Sequence, residues 1–465
     1  MNKQALFIKK DNSYIQSSTL LLLAFITVFF PRVLDTLGAP SLVNFFHFAI
    51  VPFAFIVALF QTRTKNRNQI SISKELICGL LILLGVMFAS ALLNKAGFIN
   101  VILNYFLLAE PFMFLVGIVC IPMSQASFQR FRSWIVKFSG FHIFLALFQQ
   151  VLLTVGILKA TTMSVPADNI QGVFYLSGSG HVVGASVAIS FGLYYFSSLK
   201  NNPLWLRASV FFAAFMQLLF SDAKQVLLVC LVSWGILILL RVKDIGKTLQ
   251  YLIGAVLFGI VIWMCVQNIE LFRSFKTWMR PEIYGPDGEA TLLKSASIRI
   301  IISHFESPLN WLLGLGPGHT VGRLGGWMLP KYSDLLAPLG ATIHPASKQV
   351  WDYVWSSWLG PATSMFSPLF GWAAIWGNIG FLGLGAYLYL GSIVWRRIGV
   401  DDFSKFSILN VIVNGFIFSQ MEEPAYMLVV TGLIALKWQE KQIAKTLQER
   451  SEYINSGINP YWETN

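Results

Sequence analysis

The stretch FINVILNYFLLAEPFMFLVGIVC, residues 98–120, decides the fold class of this chain. It holds a single charged side chain, Glu110, in a run long enough to cross the hydrocarbon core of a membrane, which takes about 20 helical residues. Similar runs recur almost from end to end of the 465 residues. Because a helix satisfies its own backbone hydrogen bonds within lipid, the sequence predicts an all-α, polytopic integral membrane protein.

The composition supports the same class. Hydrophobic residues make up 55% of the chain and charged residues 12%, and the mean hydropathy is +0.63, so the chain has more apolar side chain than a soluble domain of this size could bury. The net charge of +12 comes from basic residues scattered between hydrophobic segments. This pattern indicates membrane topology and no nucleic-acid partner. The four cysteines show no CxxC spacing, so neither a disulfide framework nor a zinc site is predicted.

About twelve transmembrane helices are predicted, which would place both ends of the chain on one side. Lysine and arginine concentrate in the two tails and in the connections that follow even-numbered predicted helices. The short connections that follow odd-numbered helices hold only Arg32, Lys95, Lys159 and Lys224. The positive-inside rule then orients both termini to the cytoplasm. The predicted helices lie near residues 19–37, 40–61, 75–94, 97–121, 134–158, 181–199, 203–220, 223–241, 248–267, 368–395, 404–420 and 424–437.

This topology divides the chain into four regions. Residues 1–267 carry the first nine predicted helices, and residues 268–367 form a large, partly helical periplasmic or extracellular loop. Residues 368–437 carry the last three helices, and residues 438–465 form a cytoplasmic tail in which the final helix continues for a short distance.

The large loop is rich in arginine and histidine. Guanidinium groups bind phosphate in a bidentate manner, and a histidine can take a proton near neutral pH, so the set suits an anionic ligand. The alternative is that these side chains are solvated or structural, as polar loop residues often are. The set comprises Arg273, Arg280, Arg299, His304, His319, Arg323 and His344.

Tryptophans also cluster in the loop. Trp351, Trp355 and Trp358 follow i, i+4, i+7 spacing, which predicts a helix beginning near Ser347 with three rings on one face. Such a face is typical of an interfacial helix in the aromatic belt of a membrane. It could equally be a stacking platform for sugar rings.

Two short motifs are read as turns. The glycines of GLGPGH, residues 314–319, predict a tight turn that presents His319 at the membrane surface. The stretch DNIQGVF, residues 168–174, is too polar to cross lipid and is predicted to line a cavity.

Isolated charged residues leave alternatives open. Lys224 either binds an anion or pairs locally with Asp222. Glu422 and Glu423 form a solvated turn, or one of them acts as a general base or as a salt-bridge partner of the arginines. Glu110 would be costly in the middle of a helix unless it is paired or faces water.

The lone histidines His47 and His142 lie on apolar helices and are predicted to be hydrogen-bonded core residues. No carboxylate cluster of metal-binding type appears in the loops, so no metal and no cofactor is predicted. Any chemistry on a pyrophosphate would then rely on arginine and lysine to neutralise charge.

Three segments, in this order, resemble the O-antigen ligase and polymerase superfamily of bacterial membrane glycosyltransferases. FSDAKQVLLVCLVSWGIL, residues 220–237, resembles a polar turn leading into a helix, with Lys224 where the family usually has arginine. ASIRIIISHFESPLNWLLGLGPG, residues 296–318, resembles the outer-loop signature, with Arg299, Pro308 and the glycines from Gly314 to Gly318.

The third segment, SPLFGWAAIWGNIGFLGLGAYLYL at residues 367–390, resembles the helix that closes the outer loop. Gly380 and Gly383 stand at its usual paired glycines. That helix commonly opens with a His-Asn pair, whereas here the chain reads Ser367, Pro368, Leu369. If the family histidine is needed, His344 or His319 would have to replace it.

The resemblance implies a GT-C-like fold in the bacterial plasma (inner) membrane and a metal-independent glycosyltransferase. The implied activity is polymerisation of polyprenyl-pyrophosphate-linked oligosaccharide repeat units at the outer face, in surface or exopolysaccharide biosynthesis. An O-antigen ligase, which transfers the finished glycan to a lipid or protein acceptor, is the first alternative. A membrane transporter or flippase is the second.

For this reaction, the expected partners are the lipid-linked glycan, membrane lipid and a possible chain-length regulator. The expected catalytic base is His344 or His319. Residues expected to hold pyrophosphate are Arg299, Arg323, Arg280 and Lys224, and residues expected to guide sugar are Trp351 and Trp355.

Overall fold

The computed structural model describes residues 17–61, 66–121, 123–158, 165–175, 179–241, 245–272, 281–360, 368 and 370–455. Within these ranges every regular element is a helix and no strand occurs. The prediction of an all-α chain is therefore confirmed.

Helices of twelve residues or more are numbered α1 to α14 here. The first nine are α1 Ser17–Phe29, α2 His47–Gln61, α3 Arg67–Asn94, α4 Phe98–Cys120, α5 Gln125–Thr154, α6 Gly180–Ser198, α7 Leu204–Phe220, α8 Lys224–Leu239 and α9 Ile245–Asn268. The others are α10 Glu289–Ser303, α11 Pro345–Ser356, α12 Gly371–Ile393, α13 Asp402–Asn414 and α14 Pro424–Asn455. Every segment predicted to be helical overlaps one of these helices.

Shorter helical turns connect the long helices. They are Pro31–Thr36, Ser41–Phe45, Pro166–Asn169, Gly172–Phe174, Glu270–Phe272, Pro281–Tyr284, Leu309–Leu313, Leu324–Met328, Leu329–Lys331, Ser333–Leu336, Ala337–Leu339, Val394–Ile398 and Gln420–Glu422. α14 continues to Asn455, so residues 438–455 are helical, as predicted for the start of the tail.

Six segments are long and apolar enough to cross a membrane, which indicates a multi-pass membrane protein. They are Ser41–Phe60, Arg67–Asn94, Phe98–Cys120, Gln125–Thr154, Ile245–Asn268 and Gly371–Ile398. The predicted count of twelve is not reached among the described residues. α1, α7, α8 and α13 have 13, 17, 16 and 13 residues, fewer than the roughly 20 that a straight span needs.

Helix α4 forms the axis of the bundle. Almost all of its residues are buried, whereas almost none of α9 is. α2, α3 and α14 pack around α4, and α12 packs on α3. Charged or polar side chains on α4 therefore face protein instead of lipid.

Side-chain caps set the starts of several helices. The Asn66 side chain accepts hydrogen bonds from the backbone N–H groups of Asn68 and Gln69 at the start of α3. Ser124 caps α5, and Asp401 caps α13 in the same way. Each cap satisfies backbone donors that the first turn of a helix leaves unpaired.

Helix α12 is broken at Gly380, whose φ of 64° lies in the left-handed region. The break frees two carbonyl oxygens, and the chain after Gly314 binds them. The Leu315 N–H donates to the Gly377 oxygen at 2.7 Å, and the Gly316 N–H donates to the Asn378 oxygen at 3.0 Å. A side chain at Gly380 would come within 2.2 Å of the Leu312 backbone, so this close approach requires glycine.

Asparagines at the ends of the helices hold the same turn. The Asn94 side chain of α3 donates to the Gly314 oxygen at 3.1 Å, and Asn100 of α4 donates to the Pro317 oxygen at 3.0 Å. The Thr320 hydroxyl donates to the Asn378 side chain at 2.8 Å. Residues 309–325 are therefore docked firmly on the bundle. The end of the bundle that carries residues 281–360 is called the loop end below.

Candidate functional site

A pocket opens at the loop end, between the bundle and residues 323–332. It encloses about 610 Å³ of empty space when its open mouth is included. Its apolar lining includes Val28, Leu107, Phe174 and Val183. Its polar groups are Arg32, Asn44, His47, Arg323, Tyr332 and Glu423.

Three cationic groups converge on one ring at this pocket. The guanidinium carbons of Arg32 and Arg323 lie 5.6 and 5.1 Å from the centre of the Trp327 ring, and the Lys331 ammonium lies 5.2 Å from it. Each distance falls within cation–π range. Three like charges around one indole repel one another, so an anion bound among them would be stabilised by all three.

Arg323 is fixed by two neighbouring carboxylates. Its guanidinium forms an ion pair with Glu423, and its backbone N–H donates to Glu422 at 2.5 Å. At Gly322, a Cβ would lie 2.9 Å from both oxygens of Glu422, so a small residue there lets the carboxylate approach. Of the predicted alternatives, a salt-bridge partner of an arginine is the one found for Glu423. The prediction of a solvated turn is wrong for Glu422, which is 1% exposed.

Burial perturbs the charges of this cluster. Burial raises the pKa of Glu422 to about 7, although the Arg323 N–H and guanidinium oppose the shift. Burial and the nearby Arg32 charge lower the pKa of Arg323 to about 10. The pKa of Lys331 is lowered by the same two causes. Arg323 also has a buried Nε without a hydrogen-bond partner, and an unpaired buried donor is costly.

One histidine that lines the pocket is paired with a buried carboxylate. The Nδ1 atom of His47 lies 3.0 and 2.8 Å from the two oxygens of Glu110. Glu110 is fully buried and His47 is 7% exposed. Glu110 is therefore paired, as its position within a helix requires, and His47 is a hydrogen-bonded residue that also lines the pocket.

A second polar cluster lies on the loop itself and consists of His304, His319 and His344. The ring centres of His304 and His319 lie 5.1 and 5.4 Å from that of His344. The described residues contain no group of three ligands that could hold a metal ion. The three rings pack against one another.

Hydrogen bonds occupy the rings of His319 and His344. The Nδ1–H of His319 donates to the Leu315 oxygen at 2.8 Å, and its Nε2 pairs with the Thr342 hydroxyl at 2.8 Å. His344 caps α11, because its Nδ1 accepts the Ala346 N–H at 3.2 Å. The prediction that the glycine turn presents His319 at the surface is wrong, since His319 is 4% exposed.

Burial keeps these two histidines neutral. It lowers the pKa of His319, against a contribution from the Leu315 carbonyl. Burial, with the neighbouring His319 and His304, lowers the pKa of His344 to about 4. Both rings are therefore uncharged at neutral pH, with the nitrogen lone pairs directed into the protein.

Arg299 lies on α10, away from the contacts of Arg323. Its guanidinium stacks on Tyr353 at 5.3 Å and donates to the Leu292 oxygen at 3.1 Å. Arg280 lies outside the described residues. Arg323 is thus the predicted phosphate-binding arginine that the structure places at a pocket with other cations.

The tryptophan helix α11 begins at Pro345, two residues before the predicted start. The Trp351 N–H donates to the Gly326 oxygen at 2.9 Å, and the Trp351 and Trp355 rings stack 5.9 Å apart. Trp358 lies beyond the end of the helix. Trp355 and Trp358 are 56% and 63% exposed, so both remain accessible to a membrane surface or a sugar.

Lys224 begins α8 and its ammonium lies 2.6 Å from a carboxylate oxygen of Asp222, which is the local pairing considered above. Asp168 lies nearby, and burial together with the Asp222 charge raises its pKa to about 6. The DNIQGVF stretch is folded into two short turns, and the backbone N–H groups of Gln171 and Gly172 donate to Gln149 at 2.9 and 2.7 Å. Phe174 from this stretch lines the pocket, as predicted.

Arg32, Lys331 and His47 were not predicted to belong to a site. Arg32 was visible in the sequence as one of few basic residues in the short odd-to-even connections, but nothing local linked it to Arg323. No protein-family model matches the chain, and no curated protein sequence matches it either. The candidate site therefore rests on its own geometry.

Proposed function

We propose that this chain is a membrane glycosyltransferase that polymerises polyprenyl-pyrophosphate-linked oligosaccharide repeat units. The observation that carries the proposal is the convergence of Arg32, Arg323 and Lys331 on Trp327, a ring that lines a pocket together with the two arginines. A pyrophosphate is the anion this arrangement suits best, because several N–H donors must bind several oxygens at once.

The cations have donors to spare for such a ligand. Arg32 pairs with Asp35, whose oxygens also accept from the Asn44 side chain. Arg323 pairs with Glu423 but keeps Nε without a partner. Lys331 forms no ion pair among the described residues. The carboxylates orient the guanidinium groups, and the remaining N–H groups are left for phosphate oxygens.

The shape of the pocket suits the joint between a lipid and a sugar. Its lining combines apolar side chains with Arg32 and Arg323, which matches a prenyl chain followed by a pyrophosphate. The exposed Trp355 and Trp358 lie on the large loop, where they can contact the sugars beyond. Pyrophosphate is a good leaving group, so positioning and charge neutralisation supply much of the catalysis.

In this proposal the loop end faces the outside of a bacterial plasma membrane, and both termini are cytoplasmic. The support is the concentration of lysine and arginine in the connections opposite residues 268–367. Single cysteines at Ser333 and at Lys445 test it, in a background without the four native cysteines. A membrane-impermeant maleimide should label intact cells at position 333 and not at position 445, and the reverse pattern would contradict the orientation.

The activity is tested by the size distribution of glycan in cells with and without the gene. We expect loss of long polymer and accumulation of single lipid-linked repeat units, restored by the wild-type gene. The Arg323→Ala gene should fail to restore polymer, whereas the Arg130→Ala gene, which changes an exposed arginine of α5, should restore it.

Other results would indicate other functions. Long polymer that stays on its lipid carrier would mean ligation to an acceptor, in place of polymerisation. Unchanged glycan in the deletion strain would exclude a glycosyltransferase and favour transport. Full rescue by both Arg323→Ala and Arg32→Ala would exclude arginine-bound pyrophosphate at this pocket.

A further inference from the structure

His47 and Glu110 form a buried pair. The Nδ1 atom of His47 lies 2.8 and 3.0 Å from the Glu110 oxygens, and with an ionised Glu110 as acceptor we assign the proton to Nδ1. The lone pair of the neutral ring then lies on Nε2. No hydrogen bond to Nε2 occurs among the described residues, and His47 lines the pocket.

Three of the other histidines use their lone pairs within the protein. The lone pair of His319 accepts the Thr342 hydroxyl, and that of His344 accepts the Ala346 N–H. In His142, Nδ1 accepts the Val173 N–H at 3.3 Å. His47 therefore differs from these three in keeping a basic nitrogen for a molecule in the pocket.

Charged groups surround His47 on several sides. Glu110 approaches from α4, and Arg32 belongs to the short helix that precedes α2. Arg323, Tyr332 and Glu423 line the same pocket from the loop and from the turn before α14. Arg323 is close enough to act electrostatically on Glu110. A leaving pyrophosphate at the arginines and a base at His47 would thus face each other across one pocket.

We propose that His47 is the general base of the transfer reaction and that Glu110 is its positioning residue; this inference rests on the proposed polymerase function. The Nε2 atom takes the proton of the attacking sugar hydroxyl as its oxygen bonds to the anomeric carbon of the donor. The bond from that carbon to the pyrophosphate oxygen breaks, and the electron pair leaves with the lipid pyrophosphate. The proton on the imidazolium passes afterwards to the pyrophosphate or to water, so no further reactant is needed.

The two nearby glutamates are weaker candidates for the same role. Glu423 is engaged in its ion pair with Arg323, and an ion pair with a guanidinium reduces the basicity of a carboxylate. Glu422 does not line the pocket and accepts the Arg323 N–H. In contrast, a carboxylate behind a histidine fixes its tautomer and stabilises the imidazolium that forms.

The test uses the full chain in proteoliposomes. The substrate is the lipid-linked oligosaccharide extracted from cells that lack the gene, and geranylgeranyl pyrophosphate is the binding probe. For His47→Gln, we expect kcat to fall about 100-fold or more, as for loss of a general base, while probe affinity stays within about twofold of wild type. Imidazole added to His47→Gly should restore part of the turnover, which a purely structural histidine would not allow.

Glu110→Gln tests the positioning role. Without the carboxylate, the Nδ1–H loses its charged acceptor and the ring is no longer held in place, so kcat should fall at least about tenfold while probe affinity stays within about twofold of wild type. The unfolding temperature of each variant in detergent shows whether it folds. If Glu110→Gln lowers kcat and probe affinity in proportion, the pair is structural and the positioning role is wrong.

The failures of the two proposals are distinguishable. If wild type makes polymer and His47→Gln keeps its kcat, or loses probe binding in proportion to kcat, His47 is not the base and the polymerase proposal stands. If wild type makes no polymer from the extracted lipid and the deletion strain has unchanged glycan, the polymerase proposal is wrong and the role of His47 falls with it.

Discussion

The two polar clusters at the loop end differ in the partners of their hydrogen-bonding groups. In the histidine cluster of His304, His319 and His344, the lone pairs of His319 and His344 bind protein groups. At the pocket, Arg323 keeps a donor and His47 keeps a lone pair. The histidine cluster has a composition that suits catalysis, but its contacts are mainly structural. The proposed chemistry instead involves pocket residues that are far apart in the sequence.

The largest effect should come from Arg323→Ala. It removes a charge-assisted donor for the leaving pyrophosphate, so turnover should fall about 100- to 1000-fold in proteoliposomes. The substitution also leaves Glu423 without its ion-pair partner, so its unfolding temperature must be measured beside turnover. Arg323→Lys serves as the matched control because it keeps the charge without the guanidinium fork, and we expect it to be intermediate.

A near-wild-type turnover in Arg323→Ala would show that the pocket cluster is structural, like the histidine cluster. The contacts of Arg323 would then stabilise the fold and would not bind substrate.

A smaller loss is expected for Gly322→Ala. The added methyl group would lie 2.9 Å from both Glu422 oxygens, so the carboxylate and the Arg323 backbone must move apart. Displacement of this kind should lower kcat/KM about tenfold, equivalent to roughly 1.4 kcal/mol. Gly385→Ala is the matched control, because no atom lies within 4 Å of its added carbon. Equal activities of the two variants would show that the approach of Glu422 is unimportant.

Lys331→Ala should weaken binding without stopping turnover. Lys331 is an exposed cation beside Trp327, so its contribution to binding is small and screened by salt. We expect the affinity for geranylgeranyl pyrophosphate to fall about two- to fivefold at low salt, and the difference to vanish at about 0.5 M salt. An effect that persists at high salt would indicate a direct role in shaping the pocket.

The two clusters should show opposite dependence of stability on pH. The pKa of Glu422 is raised to about 7, so the folded protein holds a proton that the unfolded chain releases, and its contribution to stability declines as pH rises from about 4.5 to 7. The pKa of His344 is lowered to about 4, so the unfolded chain binds the extra proton, and stability declines as pH falls from about 6.5 to 4.

Unfolding temperatures in detergent between pH 4.5 and 7.5 check both slopes. Glu422→Gln should remove the decline towards neutral pH, and His344→Gln should remove the decline towards acid. We also expect His344→Gln to alter turnover at pH 7.5 by less than about threefold, since its lone pair caps α11. A large loss of turnover with unchanged stability would instead support the base role predicted for His344 from the sequence.

The positions of the helices could be predicted because each apolar run is local and periodic. The glycines of residues 314–318 also marked a real turn, since a left-handed φ favours glycine. Residues 368–395 were predicted as one helix, so the break at Gly380 was not predicted. The burial of His319 could not be predicted from its neighbours in sequence. It depends on Thr342 and on the docking of the turn against α12.

Long-range pairing limited the prediction of the site in the same way. Arg323 was predicted as an anion-binding residue, whereas Arg32 and Lys331 were not. Only the folded structure brings all three cations to the Trp327 ring. His47 and Glu110 are on different helices, and a single sequence gives no signal that joins them. Glu110 alone was flagged, since a carboxylate within an apolar helix must have a partner.

The break in α12 bears on the order in which the protein is made. The Gly377 and Asn378 carbonyls have their partners on Leu315 and Gly316, and an unpaired carbonyl in lipid is costly. The partners are earlier in the chain, so they leave the ribosome before α12 does. The segment that donates to the α12 carbonyls can therefore already have reached its side of the membrane when this helix emerges. A truncation of residues 309–325, or a delay in their synthesis, should leave α12 poorly inserted and sensitive to quality-control proteolysis.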